Sequence, residues 1–403
     1  MELYKKHISD LGRIVTGKTP RTSKAENYGG NIPFLTPSDD LSGKFAPQTV
    51  KTITEEGLSE VKNCLLPSKS VCVSCIGSDL GKVVITNVPT VTNQQFNSII
   101  PTEENDTDFI YYLMAIVGKQ LNFLSKTSTA VPIINKSTFA DYEIEIPSLE
   151  NQQRIAKVLS SLDDKIEVNR RINDNLEQQA QALFKSWFVH FEPFRDQPFV
   201  ESELGMIPEG WKVDSLSSVA DYINGLAMQK YRPIEGEAGL PVLRIKELGQ
   251  GNTDDSSELC SPSLIGEKYI IDDGDIIFSW SGTLMVKVWC GGKCGLNQHL
   301  FVVKPNDYPH WFAYQWTKHH LDNFIHIAKD KAVTMGHIKR GELDKAKVVV
   351  PDGTSMATID SMMKPLHSQI IANRIESRRL AQLRDTLLPR LMSGEIKVGD
   401  VTL

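Results

Sequence analysis

The side chains best suited by type to selective chemistry are two amide pairs, Asn93-Gln94 and Asn297-Gln298, followed by Gln95 and His299. An Asn or Gln amide presents a donor beside an acceptor and matches the exposed edge of adenine, whereas Arg and Lys match the two acceptors of guanine. Side chains able to hold phosphate lie nearby: Lys18, Thr19, Arg21, Ser23 and Lys24 before the first pair, and Gln229, Lys230, Arg232, Arg244 and Lys246 before the second. Lys136 follows the first pair, and Lys339 with Arg340 follow the second. These are loops with the chemistry to read a nucleic acid, set against the plainer reading of each residue as solvated surface. The amide pair is shared by both places, so it serves the fold or backbone positioning as readily as base choice. Residues that choose different bases should differ between the two.

Other chemistries find less support. Cys72 and Cys75 have the spacing of a zinc half-site and Cys290 with Cys294 could supply another, but Cys72 lies in an apolar alternating run and the pairs are far apart. Free thiols in a reducing compartment are expected for all six cysteines. His319, His320 and His326 share one helical stretch with no cysteine or carboxylate cluster and read as surface or interface residues. Asp39-Asp40 and Asp163-Asp164 lack a lysine at nuclease-like spacing, and the second pair reads as solvated helix charge. Gly17-Lys18-Thr19 lacks the first glycine of a phosphate loop. No Asn/Asp-Pro-Pro-aromatic loop marks a methyltransferase. The sequence predicts no catalytic residue, no metal and no cofactor on this chain.

The elements that must position the candidate residues are written twice. Gly17 and Gly225 are 208 residues apart (225 − 17), as are Pro33 and Pro241. Asn93 and Asn297 are 204 apart (297 − 93), a register that continues from Ile166, Asn169, Arg170, Leu176 and Leu183 to Ile370, Asn373, Arg374, Leu380 and Leu387. The repeating unit is a globular domain followed by a long helix. Short β-branched runs such as Val71-Cys72-Val73 and Val348-Val349-Val350, interrupted by helical segments at 108–124 and 310–327, predict an α+β class. Residues 1–148 read as the first domain and 149–190 as its helix. Residues 191–204 read as a linker carrying Pro193 and Pro198, 205–352 as the second domain, 353–393 as the second helix and 394–403 as a tail.

Both helices carry a heptad seam. Ile155, Leu159, Leu162, Ile166, Asn169, Asn173, Leu176, Ala180, Leu183 and Trp187 form the first; Ile359, Met363, Leu366, Ile370, Asn373, Ser377, Leu380, Arg384, Leu387 and Leu391 form the second. The expectation is an antiparallel coiled coil, pseudo-two-fold symmetric, in which Asn169 and Asn373 fix the register. A helix of about 36 residues is roughly 54 Å long, more than one turn of B-DNA, about 34 to 36 Å. Two equivalent domains on such a spacer suit a periodic target.

At 403 residues the chain can bury more than one core, and its formal charge of −6 argues against indiscriminate nucleic-acid binding. Basic surface must then be focused locally or supplied by partners. With no stretch of about 18 apolar residues, a soluble, intracellular, cytoplasmic protein is expected, with no membrane partner.

Three stretches carry a family resemblance over essentially the whole chain. They are Gly17-Lys18-Thr19-Pro20 with Tyr28-Gly29-Gly30-Asn31-Ile32-Pro33, Leu149-Glu150-Asn151-Gln152-Gln153-Arg154-Ile155-Ala156 opening the first helix, and Gly205-Met206-Ile207-Pro208-Glu209-Gly210-Trp211 leading into the second domain. The sequence resembles the specificity subunits of type I restriction-modification systems. The resemblance implies two target-recognition domains, each reading half of a bipartite site on double-stranded DNA, with the helices setting the gap. It also implies two methyltransferase subunits carrying S-adenosylmethionine for adenine-N6 methylation and restriction subunits using ATP and Mg, so that this chain would itself be non-catalytic. In the second copy Gly225-Leu226-Ala227-Met228 replaces Gly17-Lys18-Thr19-Pro20, and Ser355-Met356-Ala357 replaces Asn151-Gln152-Gln153. Competing readings are an enzyme in its own right, which would methylate DNA unaided, and a coiled-coil scaffold for proteins, which would bind no DNA in a sequence-dependent way.

Overall fold

In the first half of the chain, the short β-branched runs pair into two small sheets. The strands are β1 (Gly12–Thr16), β2 (Tyr28–Leu35), β3 (Lys51–Ile53), β4 (Leu65–Leu66), β5 (Val71–Ser74), β6 (Val83–Ile85), β7 (Thr90–Thr92) and β8 (Phe96–Pro101). They assemble in the orders β1-β8-β5-β6, all antiparallel, and β3-β2-β7-β4, in which β2 and β7 run parallel. The second half has β9 (Ala220–Asn224), β10 (Leu240–Leu243), β11 (Leu259–Cys260), β12 (Ile270–Ile271), β13 (Ile276–Ser279), β14 (Met285–Val288), β15 (Cys294–Leu296) and β16 (Leu300–Pro305). Their orders are β9-β16-β13-β14 and β11-β10-β15-β12, again with one parallel pair, β10 and β15. The two halves thus repeat the same strand order. The computed structural model describes residues 1–77, 80–125, 133–330 and 336–401.

Two compact units result, one of residues 1–165 with 380–403 and one of 166–379. In the first, helix α1 (Thr107–Ser125) covers the β1-β8-β5-β6 sheet, burying Phe109, Ile110, Leu113 and Val117 with Val71, Val73 and Ile99. In the second, α3 (His310–His319) and α4 (Leu321–Asp330) bury Trp311, Phe312, Trp316 and Phe324 with Phe278 and Val303. The long helices are α2 (Leu149–Phe188) and α5 (Gly353–Met392), each about 60 Å by its 40 residues. Each contributes residues to both units.

The seam residues are used differently along their length. In the first unit Ile155, Leu159 and Leu162 are buried in one core with Leu387, Leu388 and Leu391, so this end of the seam is also the floor of the domain. In the second unit Ala180, Phe184 and Phe188 pack with Ile359 and Met363, while Leu183 and Leu366 lie at the edge of that core. Between these apolar groups in the second unit sits a buried amide layer. Asn169 Nδ2 donates to Glu376 Oε2 at 2.7 Å, Asn373 Nδ2 to Asn173 Oδ1 at 2.9 Å, and Asn173 Nδ2 to the Ile370 carbonyl at 3.2 Å. The partners of 169 lie later in α5 than those of 173, which is antiparallel pairing. Ile166, Leu176 and Leu380 are only partly buried.

Two sequence expectations change. Asp163 is not solvated helix charge: it is buried, accepts from Tyr112 Oη at 2.5 Å and pairs with Arg384 Nη1 at 2.5 Å. The seam position occupied by Arg384 supplies the countercharge that lets a carboxylate sit there. Residues 191–204 are also more ordered than a linker: Phe194 is buried with Trp211, and Phe199–Ser202 forms a hairpin with Gly205–Pro208. The apolar spacing there was too short to show a period.

Asp163→Ala should cost about 3 kcal/mol, because it leaves a largely buried guanidinium and a buried tyrosine hydroxyl without their acceptor. The exposed neighbour change Asp164→Ala should stay within roughly 0.5 kcal/mol; equal thermal shifts for the two would contradict the pairing.

Acid should loosen the second unit. His310 Nδ1 and His367 Nε2 lie 2.7 Å apart, a bond that needs at least one unprotonated ring nitrogen. Burial, then the charges of His310 and Arg374, pushes His367 down to about 3, and burial lowers His310. The unfolded chain therefore binds protons first: this stability is complete above an ordinary histidine pKa of about 6.5 and falls with pH towards the folded value. Cooling-reversible melts at pH 7.5 and 5 should differ by roughly 2 kcal/mol on account of His367, and His367→Gln should remove much of that difference.

Candidate nucleic-acid interface

The loops that carry the candidate residues are built by close backbone contacts. Gly17 leaves β1 against the β7–β8 turn, where a Cβ would collide with the carbonyl oxygens of Thr92 and Asn93. Gly225 meets Leu296 and Asn297 in the same way, which explains why these two glycines are shared by the copies. Gly17 N donates to the Phe96 carbonyl at 3.1 Å and Lys18 N to the Thr92 carbonyl at 2.9 Å. In the second unit Gly225 N donates to Leu300 O at 3.0 Å and Leu226 N to Leu296 O at 2.9 Å.

The shared asparagines are part of this framework. Asn93 is buried, accepts from Gln95 N at 3.1 Å and donates to Gln95 Oε1 at 2.8 Å; Asn297 is buried and accepts from His299 N at 3.2 Å. Their amides shape the turn and present the two following residues.

In the first unit the structure gathers Lys18, Thr19, Gln94, Gln95 and Lys136. Thr19 Oγ1 donates to Gln94 Oε1 at 2.7 Å, Cys75 N to Gln95 O at 2.7 Å, and Ile134 N to Cys75 O at 2.9 Å, so four chain segments meet at this end of the sheet. Beside Thr19 opens a cleft of about 440 Å³ lined by Thr22, Tyr28, Phe34 and Lys51 among others. Arg21 and Lys24 turn elsewhere. Both face Glu60, Lys24 at 3.3 Å and Arg21 at 4.0 Å, and the Arg21 backbone amide with these cations holds that carboxyl below its usual range.

The second unit gathers Gln298, His299, Lys339 and Arg340 in the equivalent place, with exposed Gln229 and Lys230 on the loop that leaves β9. Gln298 N donates to Leu226 O at 2.8 Å and Ile338 N to Trp280 O at 3.2 Å. Arg244 is committed to the fold: its guanidinium pairs with the buried Glu247 at 2.8 Å and with Glu258 at 3.5 Å. Arg232 also faces Glu258, at 3.6 Å, and Lys246 is exposed one residue into the helix that Arg244 opens. Among the described candidate residues Lys18, Lys136, Lys230, Lys246, Lys339 and Arg340 have no carboxylate within ion-pair distance. These are the candidate cations left to meet a polyanion.

Sequence reasoning missed the residues between these loops. Trp280 sits at the end of β13, its indole Nε1 donating to Asn224 Oδ1 at 3.0 Å, and His337 pairs across Ser281 in a single antiparallel bridge. Strand pairing places Trp280 opposite Cys75, since Ser279 and Ser74 pair with Leu300 and Phe96, and His337 opposite Ile133, since their bridges join Ser281 and Ile76; that contrast was the available signal. The Cys72 and Cys75 pair lies in β5 and the turn after it, where burial pushes the thiols up to about 12 and about 11, the reverse of what a metal-binding thiolate needs.

The motif Gln152 has a structural use. It is buried, accepts from Asp106 N at 3.0 Å and donates to Pro147 O at 3.1 Å. In the second copy Met356 packs against the core at that position and Asp352 caps the helix through Ser355 at 2.7 Å, so an apolar contact and a cap stand in for the glutamine.

Comparison with known proteins agrees with this architecture. The model of the type I restriction modification DNA specificity domain matches residues 2–178 and again 208–381. The MjaIX specificity subunit of Methanocaldococcus jannaschii, a type I restriction enzyme component, is 30% identical over 98% of this chain and 94% of its own length. The HindI specificity subunit of Haemophilus influenzae is 37% identical over 44% of this chain and 39% of its own. The crystal structure of a type I restriction-modification S subunit from M. genitalium has the same fold, with a TM-score of 0.54 and 16% identity, covering 97% of this chain and 96% of that one. Two matched domains, each a pair of four-stranded sheets with a long helix behind it, place this chain in the family of type I restriction-modification DNA specificity subunits.

Proposed function

We propose that each domain reads one half of a split sequence on double-stranded DNA, that α2 and α5 fix the gap between the halves, and that the chain acts without catalysing a reaction itself. One observation carries this reading. The same strand order builds the same loop cluster twice, yet the side chains bordering solvent differ: half-buried Thr19 and Gln95 with exposed Lys136 in one copy, half-buried His299 with exposed Lys339 and Arg340 in the other. A shared frame with different contact residues suits two different half-sites. The named relatives are specificity subunits of type I restriction enzymes, which supports methyltransferase and restriction subunits as partners. On this reading two methyltransferase subunits bring S-adenosylmethionine, restriction subunits bring ATP and Mg, and the assembly works in the cytoplasm.

The test is to express this chain with its methyltransferase partner in a host free of other methylation and to map modified adenines by single-molecule sequencing. A split motif with a constant gap is expected. Seven residues inserted after Lys165 and seven after Arg379 keep the heptad seam in step and add about 10 Å, so the gap should lengthen by about 3 base pairs at 3.4 Å each. No motif with an active partner, or a continuous one, would favour a protein scaffold.

Lysine and base-reading roles separate by salt. Lys18→Ala and Lys136→Ala should weaken the assembled complex for every duplex alike and flatten the salt dependence by about 0.9 per lost phosphate contact, leaving the motif unchanged. A changed motif in either variant would move that lysine from phosphate to base.

A further inference from the structure

The two loop clusters differ most sharply at Trp280. Its ring centroid lies 5.7 Å from Phe301, 6.3 Å from His299 and 6.2 Å from His337. By strand pairing these four rings stand where the first domain has Cys75, Asn97, Gln95 and Ile133. The group is held from several sides. Asn224 fixes the indole nitrogen at 3.0 Å, Gly282 N donates to Gly336 O at 3.0 Å, and the Asn297 turn presents His299. Asn224 and His337 are exposed, and Trp280 and His299 are half-buried, so the group borders solvent. His299 Nδ1 is buried with no partner among the described residues.

The chemistry of the group limits what it can recognise. The one donor of Trp280 is spent on Asn224, so the indole offers only apolar surface. In the major groove the apolar group that a base pair presents is the thymine methyl. His337, exposed at the rim, adds an imidazole, a ring that can donate to an acceptor such as purine N7 or thymine O4, while His299 Nε2 lies 3.4 Å from Gln298 Nε2 and its Nδ1 is buried. We propose that Trp280, flanked by His299 and His337, is the base-selecting element of the second domain, and that it takes a thymine–adenine pair of the second half-site. This rests on the reading of the chain as a DNA specificity subunit. In the first domain the same place carries the Cys75 thiol, Ile133 and the Gln95 amide, so the selection there is of a different kind.

The test uses the full chain with its methyltransferase partner and the host's genomic DNA as the probe. His337→Ala changes an exposed side chain, and Trp280→Cys installs the residue that the other domain accommodates at this position; thermal melts of both confirm folding. The expected result is a T·A pair in the wild-type second half whose selection relaxes by about tenfold in both variants, with the first half and the gap unaltered. An unchanged second half, a second half without a T·A pair, a change in the first half, or loss of all methylation by folded His337→Ala would each overturn the proposal. Should Trp280→Cys not fold, His337→Ala alone decides. If the wild-type chain yields no split motif, the failure lies with the specificity reading and not with this site.

Discussion

The buried amide layer of the helix pair is the constraint on which much else depends. Asn169, Asn173 and Asn373 are almost fully shielded, and an amide in that position costs more than it returns unless each donor finds its acceptor. Only one alignment of α2 against α5 gives Asn373 the Asn173 oxygen and Asn173 the Ile370 carbonyl. A slip by one heptad would leave several buried amide atoms unpaired, whereas an all-leucine seam would tolerate it. Polar residues at seam positions thus trade stability for a single register. In the first unit the Asp163–Arg384 pair plays the corresponding part, since neither charge can stay buried without the other.

Fixed register matters because the helices are also domain floor. Ile155 and Leu159 belong to the core that holds Val71 and Ile99, and Ile359 and Met363 to the core that holds Phe278 and Val303. A shift of either helix would therefore disturb the strands whose ends carry the reading loops. From those strands the loops are set by backbone contact at Gly17 and Gly225, where no side chain fits. Frame and contact residues are separated in this way: glycines, asparagines and strand order are common to both domains, and the side chains around them vary.

Much of this was legible in the sequence. Duplication, the heptad seams and the Asn-Gln turns all follow from spacing, because a repeat preserves offsets and a coiled coil preserves period. Ion pairing was not legible. Arg21, Lys24 and Arg244 have the right chemistry for DNA, but Glu60 and Glu258 reach them from 14 to 39 residues away, and nothing in local composition announces such partners; only Glu247, three residues after Arg244, was within local reach. Trp280 and His337 were passed over for the opposite reason. Strand-end aromatics read as core by hydrophobicity, and only the topology brings them beside His299.

Committing those arginines to carboxylates bears on how an acidic chain meets DNA. With a net charge of −6, long-range attraction to a polyanion cannot supply the affinity, and of the candidate cations Arg21, Lys24, Arg232 and Arg244 are held by carboxylates. Few phosphate contacts mean little indiscriminate binding, so a larger share of the interaction falls on base edges, where sequence is read. On the proposed reading, the remaining electrostatic attraction would be shared between the unpaired loop lysines and subunits assembled on the chain. A reader that binds weakly alone and firmly only in company would couple recognition to the presence of the enzymes that act on the site.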